Sequence, residues 1–462
     1  MNRALWIVGA GLALSGCVYL NTLYNARTLH EAGDRARLDG NADAARAAYT
    51  GSLDKAARAF REDSLGRWAG PALVLVGRNH VRLGQPDRAR RALEAALARD
   101  TSPDVQRPAR LYLGAAFVQS GENVRAVRLL NQTLREVSDD GERGEAHLWR
   151  ARAFLAGGRT EEGWWDLERA GEADERLVVP SHLERLAWAV RRDDPARSVA
   201  AAGVLLDEPA ASIWSDSLSA LVDEVARLRG PGEAAALLAS ARTAPWAPGP
   251  RDALLLQRTG LLLEAGDTLA AETELGWVAR GAGPGAVPAR MTLAAVRLRR
   301  VASPDELETV RAVLLPASTD PQALALLEDL RVLELLSARE EDAFASTFAA
   351  AEMARESLDA PILARNLFLR AAEAEAAGEW RGKAALAALS LSEPPDVRRP
   401  TAALVAGLDD PYVEAARNRY LPSDTLTLLD AALQPRLDDA ASWARDEARR
   451  RDVLIRSQAG GS

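Results

Sequence analysis

The stretch Leu73-Val74-Leu75-Val76-Gly77-Arg78-Asn79-His80-Val81-Arg82-Leu83-Gly84-Gln85-Pro86-Asp87-Arg88-Ala89-Arg90-Arg91-Ala92-Leu93-Glu94-Ala95-Ala96-Leu97 decides how the rest of the chain is read. Leu73, Val76, Gly77 and His80 recur at helical spacing on one face, and Ala89, Leu93, Ala96 and Leu97 do the same in the second half. Arg82-Leu83-Gly84-Gln85-Pro86 between them carries a glycine stop and a proline start, the signature of two helices joined by a tight turn. One such pair cannot bury both of its apolar faces. It must therefore stack against neighbours of the same kind.

The neighbours are present. Gly40, Gly84, Gly121 and Gly158 each stand in a polar break between two helical patterns, and Gly84, Gly121 and Gly158 follow one another at intervals of 37 residues. Seven residues before these glycines come Gly33, Gly77, Gly114 and Ala151, and five after them Ala45, Ala89, Ala126 and Gly163. Large residues fill complementary places: Ala36, His80, Phe117 and Phe154 four before, with only Ala36 small, and Tyr49, Leu93, Leu130 and Leu167 nine after. Gly266 and Gly378 anchor two more units, with Thr259, Ala271 and Ala371 at the small positions and Lys383 where a small residue is expected. The gaps from Gly158 to Gly266 and from Gly266 to Gly378, 108 and 112 residues, each leave room for two degenerate units. Helical pairs trace through 181–207, 212–240, 286–315 and 321–355, separated by breaks such as Asp193-Asp194-Pro195 and Gly230-Pro231-Gly232.

This pattern resembles the tetratricopeptide repeat (TPR), whose two helices pack a small residue against bulky ones around a turn. The period of 37 exceeds the family's 34, and the proline that closes a family repeat is missing from its usual place. The resemblance implies an all-α, right-handed α-solenoid of about ten TPR-like helical hairpins. Residues 26–175 match well and 176–392 diverge. Residues 393–457, broken by Pro394-Pro395, Pro400, Pro411 and Pro422, read as a C-terminal helical cap, and 458–462 as a disordered tail.

Composition agrees with helices. Of 462 residues 48% are hydrophobic and only 5% aromatic, and Ala, Leu, Arg and Glu dominate. The net charge of −8, spread along the chain, leaves no basic footprint for nucleic acid.

Cys17 is the only cysteine, so no internal disulfide or cysteine metal site is available. Residues 1–16 have a charged start, an apolar run from Ala4 to Leu14 and a small-residue end, as in an export signal peptide. The run is shorter than the ~20 residues a spanning helix needs. Leu14-Ser15-Gly16-Cys17 resembles the lipobox of bacterial lipoproteins. That resemblance implies acylation of Cys17 and attachment to membrane lipid; Val18, where aspartate would signal inner-membrane retention, implies an outer-membrane anchor facing the periplasm. Residues 17–25 are then a short tether. Leu23 and Tyr24, with Tyr19 and Leu20, form an apolar edge that either docks a membrane partner or, the favoured reading, packs on the first repeat or in the headgroup region.

Few groups suggest chemistry. Ser52-Leu53-Asp54-Lys55 has the Ser-x-x-Lys spacing of penicillin-binding enzymes but lacks their companion boxes. His30, His80, His147 and His182 are each isolated, without metal-ligand spacing. Gly281–Gly285 lacks the preceding strand of a phosphate loop. Trp164-Trp165 points two indoles about 100° apart, one inward and one outward. No catalytic residue, cofactor site or metal site is assigned.

What remains is the concave face built from the first helix of each repeat. By analogy with the repeat family, Val74, Arg78, Val81 and Arg82, then Leu111, Val118 and Gln119, then Leu148, Arg152 and Leu155 line a mixed apolar and arginine groove for a protein segment. The asparagine clamp of some family members is absent, since Arg78, Ala115 and Arg152 occupy its places. The resemblance implies a membrane-anchored protein–protein interaction scaffold of the cell envelope, not an enzyme, serving an assembly or secretion complex. Two other readings stand beside it. An envelope hydrolase acting on peptidoglycan or a related polymer requires clustered carboxylates in a concave pocket, and a small-ligand carrier requires an enclosed apolar one. Wild-type chain is expected to incorporate labelled fatty acid and to fractionate with membranes; a Cys17→Ala variant that still fractionates there, beside wild type without label, rules the anchor out.

Overall fold

The computed structural model describes residues 3–417 and 424–459, with side chains described for 21–417 and 424–451. Every element among the described residues is helical. The chain divides into two compact units, residues 1–254 and 255–462.

In the first unit the helices are α1 Arg3–Leu38, α2 Ala42–Glu62, α3 Ala69–Arg82, α4 Pro86–Arg99, α5 Pro103–Gln119, α6 Asn123–Glu136, α7 Asp140–Ala156, α8 Thr160–Ala173, α9 Val178–Arg191, α10 Pro195–Asp207, α11 Ser215–Arg229 and α12 Pro231–Leu237. Helix α13, Pro248–Glu264, spans the division. The second unit continues with α14 Thr268–Arg280, α15 Ala286–Leu298, α16 Leu307–Leu314, α17 Pro321–Ala338, α18 Ala343–Glu356, α19 Pro361–Glu373, α20 Arg381–Ser390, α21 Pro395–Ala406, α22 Pro411–Ala416 and α23 Thr425–Ala459. In the first unit α1 with α2, α3 with α4, α5 with α6, α7 with α8 and α9 with α10 pack as hairpins, and hairpins stack on one another through α3 with α5 and α5 with α7.

Local sequence chemistry sets the turns. Gly84 and Gly121 adopt φ of 68° and 77°, a conformation a Cβ disfavours. There the N–H of Gln85 donates to the His80 carbonyl at 2.8 Å and that of Glu122 to the Phe117 carbonyl at 2.8 Å, closing the preceding helix with a left-handed cap. The same bond recurs at Asn41, Arg159, Asp194 and Asp267. In the degenerate repeats Asp193 takes the left-handed position, with φ of 58°, whereas Asp342 (46°) caps the start of α18 and Asp359 (49°) lies in the link from α18 to α19. Second helices then start on acceptor caps: Asn41 accepts from Ala44 N–H at 3.0 Å, Asp194 from Arg197 N–H at 3.0 Å and Asp267 from Ala270 N–H at 3.1 Å.

The small–large alternation becomes a set of direct contacts. A side chain at Gly33 would meet Tyr49, one at Gly77 would meet Leu93 and one at Gly114 would meet Leu130. Leu93, Leu130 and Leu167 are completely buried. Each glycine thus lets two helices approach until the partner's tyrosine or leucine fills the missing side chain's place.

Three expectations change. Residues 17–25 are not a separate tether, because α1 runs through them without a break into the first hairpin; the side chains of Cys17, Val18, Tyr19 and Leu20 lie outside the described residues. Leu23 is buried against Ala56, Ala59 and Ala72, while Tyr24 is exposed. The C-terminal segment does not simply cover the last hairpin: α23 returns to lie on α17 and α18 through Leu433, Leu437, Ala440 and Ala444. Trp380 Nε1 donates to the Leu429 carbonyl at 3.0 Å, and Arg436 bonds Asp342 at 2.7 Å while lying 4.8 Å from the Trp380 ring. Gln458 and Ala459 belong to this helix, and 460–462 are outside the described residues.

Gly77→Ala gains about 1 kcal/mol of helix propensity but overfills the Leu93 contact at a cost of about 1–3 kcal/mol, so a net loss of up to about 2 kcal/mol is expected in urea unfolding. Leu93→Ala should lose about 2–5 kcal/mol, and the double variant less than the two losses added together.

Candidate interaction face

The first helices α1, α3, α5, α7 and α9 lie side by side in the first unit, and their polar residues meet across the stack. Arg82 of α3 is the hub. Its Nε donates to Asp34 of α1 at 3.0 Å and its terminal nitrogens grip Glu145 of α7 at 2.6 and 3.2 Å. Arg37, one turn beyond Asp34, reaches the same Glu145 at 3.0 Å. Tyr49 donates its hydroxyl to Asp34 at 2.6 Å, and the Arg78 guanidinium lies 4.8 Å from the Tyr112 ring.

The electrostatics follow from this crowding. Burial alone would raise the Glu145 carboxyl, but Arg82 and Arg37 outweigh it and hold it down at about 2. For Asp34 burial again pushes upward, but Arg82, His30 and Tyr49 together outweigh it and keep the carboxyl far below its usual range. Arg82 is only 5% accessible and stays charged between the two carboxylates.

Beneath this network a neutral chain ties three helices together. Ser52 Oγ donates to the Ala26 carbonyl at 2.7 Å and accepts from Asn79 Nδ2 at 2.8 Å. Asn79 gives its other amide hydrogen to the Leu75 carbonyl, which leaves its Oδ1 to accept from His30 Nδ1 at 2.8 Å. Ser52 is therefore a buried bracing group, whereas Lys55 is exposed. The Ser-x-x-Lys spacing builds no nucleophile. His147 and Arg150 both bond the buried Asp166, and Trp164 packs edge-on against Trp188 at 5.8 Å while Trp165 is half exposed.

The ten residues expected in a groove separate into three groups. Val81, Leu111 and Leu148 are interior and touch no cavity on this face; Gln119 instead donates its amide to the Val81 carbonyl at 2.9 Å. Val74, Arg78 and Arg82 border two recesses of about 680 and 520 Å³ whose guanidinium groups are largely committed to the network. Val118, Arg152 and Leu155 come together in a third recess of about 560 Å³, joined by Ala156, Glu184, Ala187, Trp188, Arg191 and Arg192. An open groove lined by all ten does not form, because the C-terminal end of α1 reaches α7 and fills the face. Asp34, Arg37, Glu145 and Glu184 were missed because their partners lie 32 to 108 residues away, and no local spacing signals such pairing.

In the second unit a recess of about 490 Å³ lies between α17, α18 and α23. Glu328, Asp329, Glu352, Glu356 and Asp438 line it, together with Arg331, Arg445 and Arg449. Burial pushes the Asp329 and Glu352 carboxyls upward. Among the described residues no group of three or more His, Cys, Asp or Glu is placed to hold a metal ion, and no helix is long and apolar enough to cross a membrane.

No protein-family profile matches the chain, and no curated protein matches it in sequence. Among solved structures it is similar to a tetratricopeptide repeat protein from Parabacteroides merdae ATCC 43184, with 15% identity over 59% of this chain and 99% of that one and a TM-score of 0.30. It is also similar to a circular tandem repeat protein with novel repeat topology, with 14% identity over 97% of this chain and 99% of that one and a TM-score of 0.17. Neither degree of likeness assigns the chain to a family.

Glu145→Gln leaves Arg82 short of a charge partner in a buried setting and is expected to lower stability by roughly 3 kcal/mol. Because Glu145 is depressed from 4.5 to about 2, wild-type stability should fall as pH drops from about 4.5 toward 2, and the variant should lose part of that dependence in pH-resolved thermal unfolding.

Proposed function

We propose that this chain is a TPR-type lipoprotein, held at the outer membrane through acylated Cys17 and facing the periplasm, where it acts as a protein–protein interaction scaffold in an envelope assembly or secretion complex. The observation that carries the scaffold reading is the third recess of the first unit. It combines an apolar floor from Val118, Leu155 and Trp188 with cationic edges from Arg191 and Arg192, on the helical face that stacked hairpins present to partners. The anchor rests on the sequence pattern around Cys17. Crosslinking in intact cells, affinity capture and mass spectrometry are expected to return the same partner proteins in independent experiments; recovery of none overturns the scaffold.

A second reading, an envelope hydrolase, has one observation in its favour: the carboxyl cluster between α17, α18 and α23, with Asp329 and Glu352 pushed up in the direction a general acid needs. Purified chain incubated with peptidoglycan separates the two. Release of soluble fragments by wild type and its loss in Asp329→Asn or Glu352→Gln would establish the hydrolase, and the scaffold reading expects no release.

A further inference from the structure

We infer that the recess between α5, α7 and α9 takes an acidic segment of a partner protein that carries an apolar anchor side chain. The inference rests on the scaffold reading and names the chemistry of its partner. The floor is apolar and fixed. Leu155 and Trp188 are 7% and 8% exposed, and the Trp188 indole is held edge-on by Trp164 at 5.8 Å with the Arg192 guanidinium 5.6 Å from its centre. A volume of about 560 Å³ is at the scale of a pocket for an anchor side chain with adjoining backbone.

The charges around the floor are unbalanced. Arg152 and Glu184 satisfy each other through a two-oxygen pair, with Arg152 Nε at 2.9 and 3.1 Å from the two carboxylate oxygens, and Arg152 also stacks 4.3 Å from the Trp149 ring. Arg191 and Arg192 are exposed and have no carboxylate within ion-pair distance among the described residues. Of the three arginines lining this recess Arg152 is paired and these two are not. Both stand at the C-terminal end of α9, where a cation also offsets the helix dipole. That role needs no apolar recess beside it. An incoming carboxylate meets two guanidinium groups that have no carboxylate partner, while an adjacent apolar side chain leaves water against Trp188 and Leu155.

The test uses the full chain in zwitterionic detergent and fluorescein-labelled synthetic peptides read by anisotropy. One peptide has the sequence Asp-Glu-Leu-Phe-Asp-Glu; a second replaces its acids by Asn and Gln, and a third replaces Leu-Phe by Gly-Gly. The first is expected to bind, each control to bind roughly tenfold more weakly or worse, and the affinity to fall with added salt. Arg191→Glu/Arg192→Glu, at exposed positions, should stay folded with a melting midpoint within about 5 °C of wild type and lose roughly tenfold or more in affinity for the first peptide. No binding, or equal binding by the double variant or by either control, overturns the inference. Phosphatidylglycerol vesicles held by wild type but not by the double variant, without peptide binding, would make the recess a lipid site and also overturn it. Failure of the inference is distinguished from failure of the scaffold by crosslinking the double variant in cells. Partners captured equally by wild type and variant leave the scaffold standing without this recess, whereas no partner for wild type removes both.

Discussion

A leucine seated where a glycine has no side chain is the contact on which the α3–α4 and α5–α6 hairpins of the first unit depend. At Gly77 and Leu93, and again at Gly114 and Leu130, two helix axes come close enough that any Cβ would collide, and the leucine is removed wholly from water. Burial of one such side chain is worth about 2 kcal/mol and the close approach adds dispersion contacts. A single hairpin still leaves its outer faces wet. The stacking of α3 on α5 and α5 on α7 follows from that deficit.

The stack brings together charges that local structure keeps apart. Arg82, Asp34 and Glu145 belong to three helices, and each would be expensive to bury alone. Together they satisfy one another, so the network holds α1 against α7 and fixes how the first helices converge. Such a network adds specificity of arrangement more readily than raw stability, because the desolvation of three ions offsets much of their attraction. It also consumes most of the arginines that the sequence pattern offers to a partner. The recess around Trp188 stays open because its neighbouring pair, Arg152 with Glu184, closes on itself and leaves Arg191 and Arg192 outside.

The second unit manages its exposed helical face differently. Helix α23 crosses back over α17 and α18, its Leu433, Leu437, Ala440 and Ala444 at the four- and three-residue spacing of a helix laid in a groove. Cation–aromatic contacts at its edges, Arg436 with Trp380 and Arg339 with Trp443, set its register. The proline-broken segment before it belongs to α21 and α22, so the cap is an element of the core and not an appendage.

Much of the architecture was legible from residue order because it is built from local rules. Helical period, glycine in a left-handed turn, an aspartate or asparagine cap and small residues at fixed distances from each turn all act within one hairpin, and Gly84, Gly121 and Gly158 announce them plainly. Where aspartate replaced glycine at Asp193 the same turn formed with a weaker signal. The fate of the candidate groove was not legible. Whether Val81 and Leu111 face a partner or the interior, and whether Arg82 is free or spoken for by Glu145, depends on which helices the stack brings within a few ångströms. The sequence by itself determined the helices, their turns and their pairing; only the tertiary structure decided which charges meet and which recess remains, because those contacts join residues that share no local spacing.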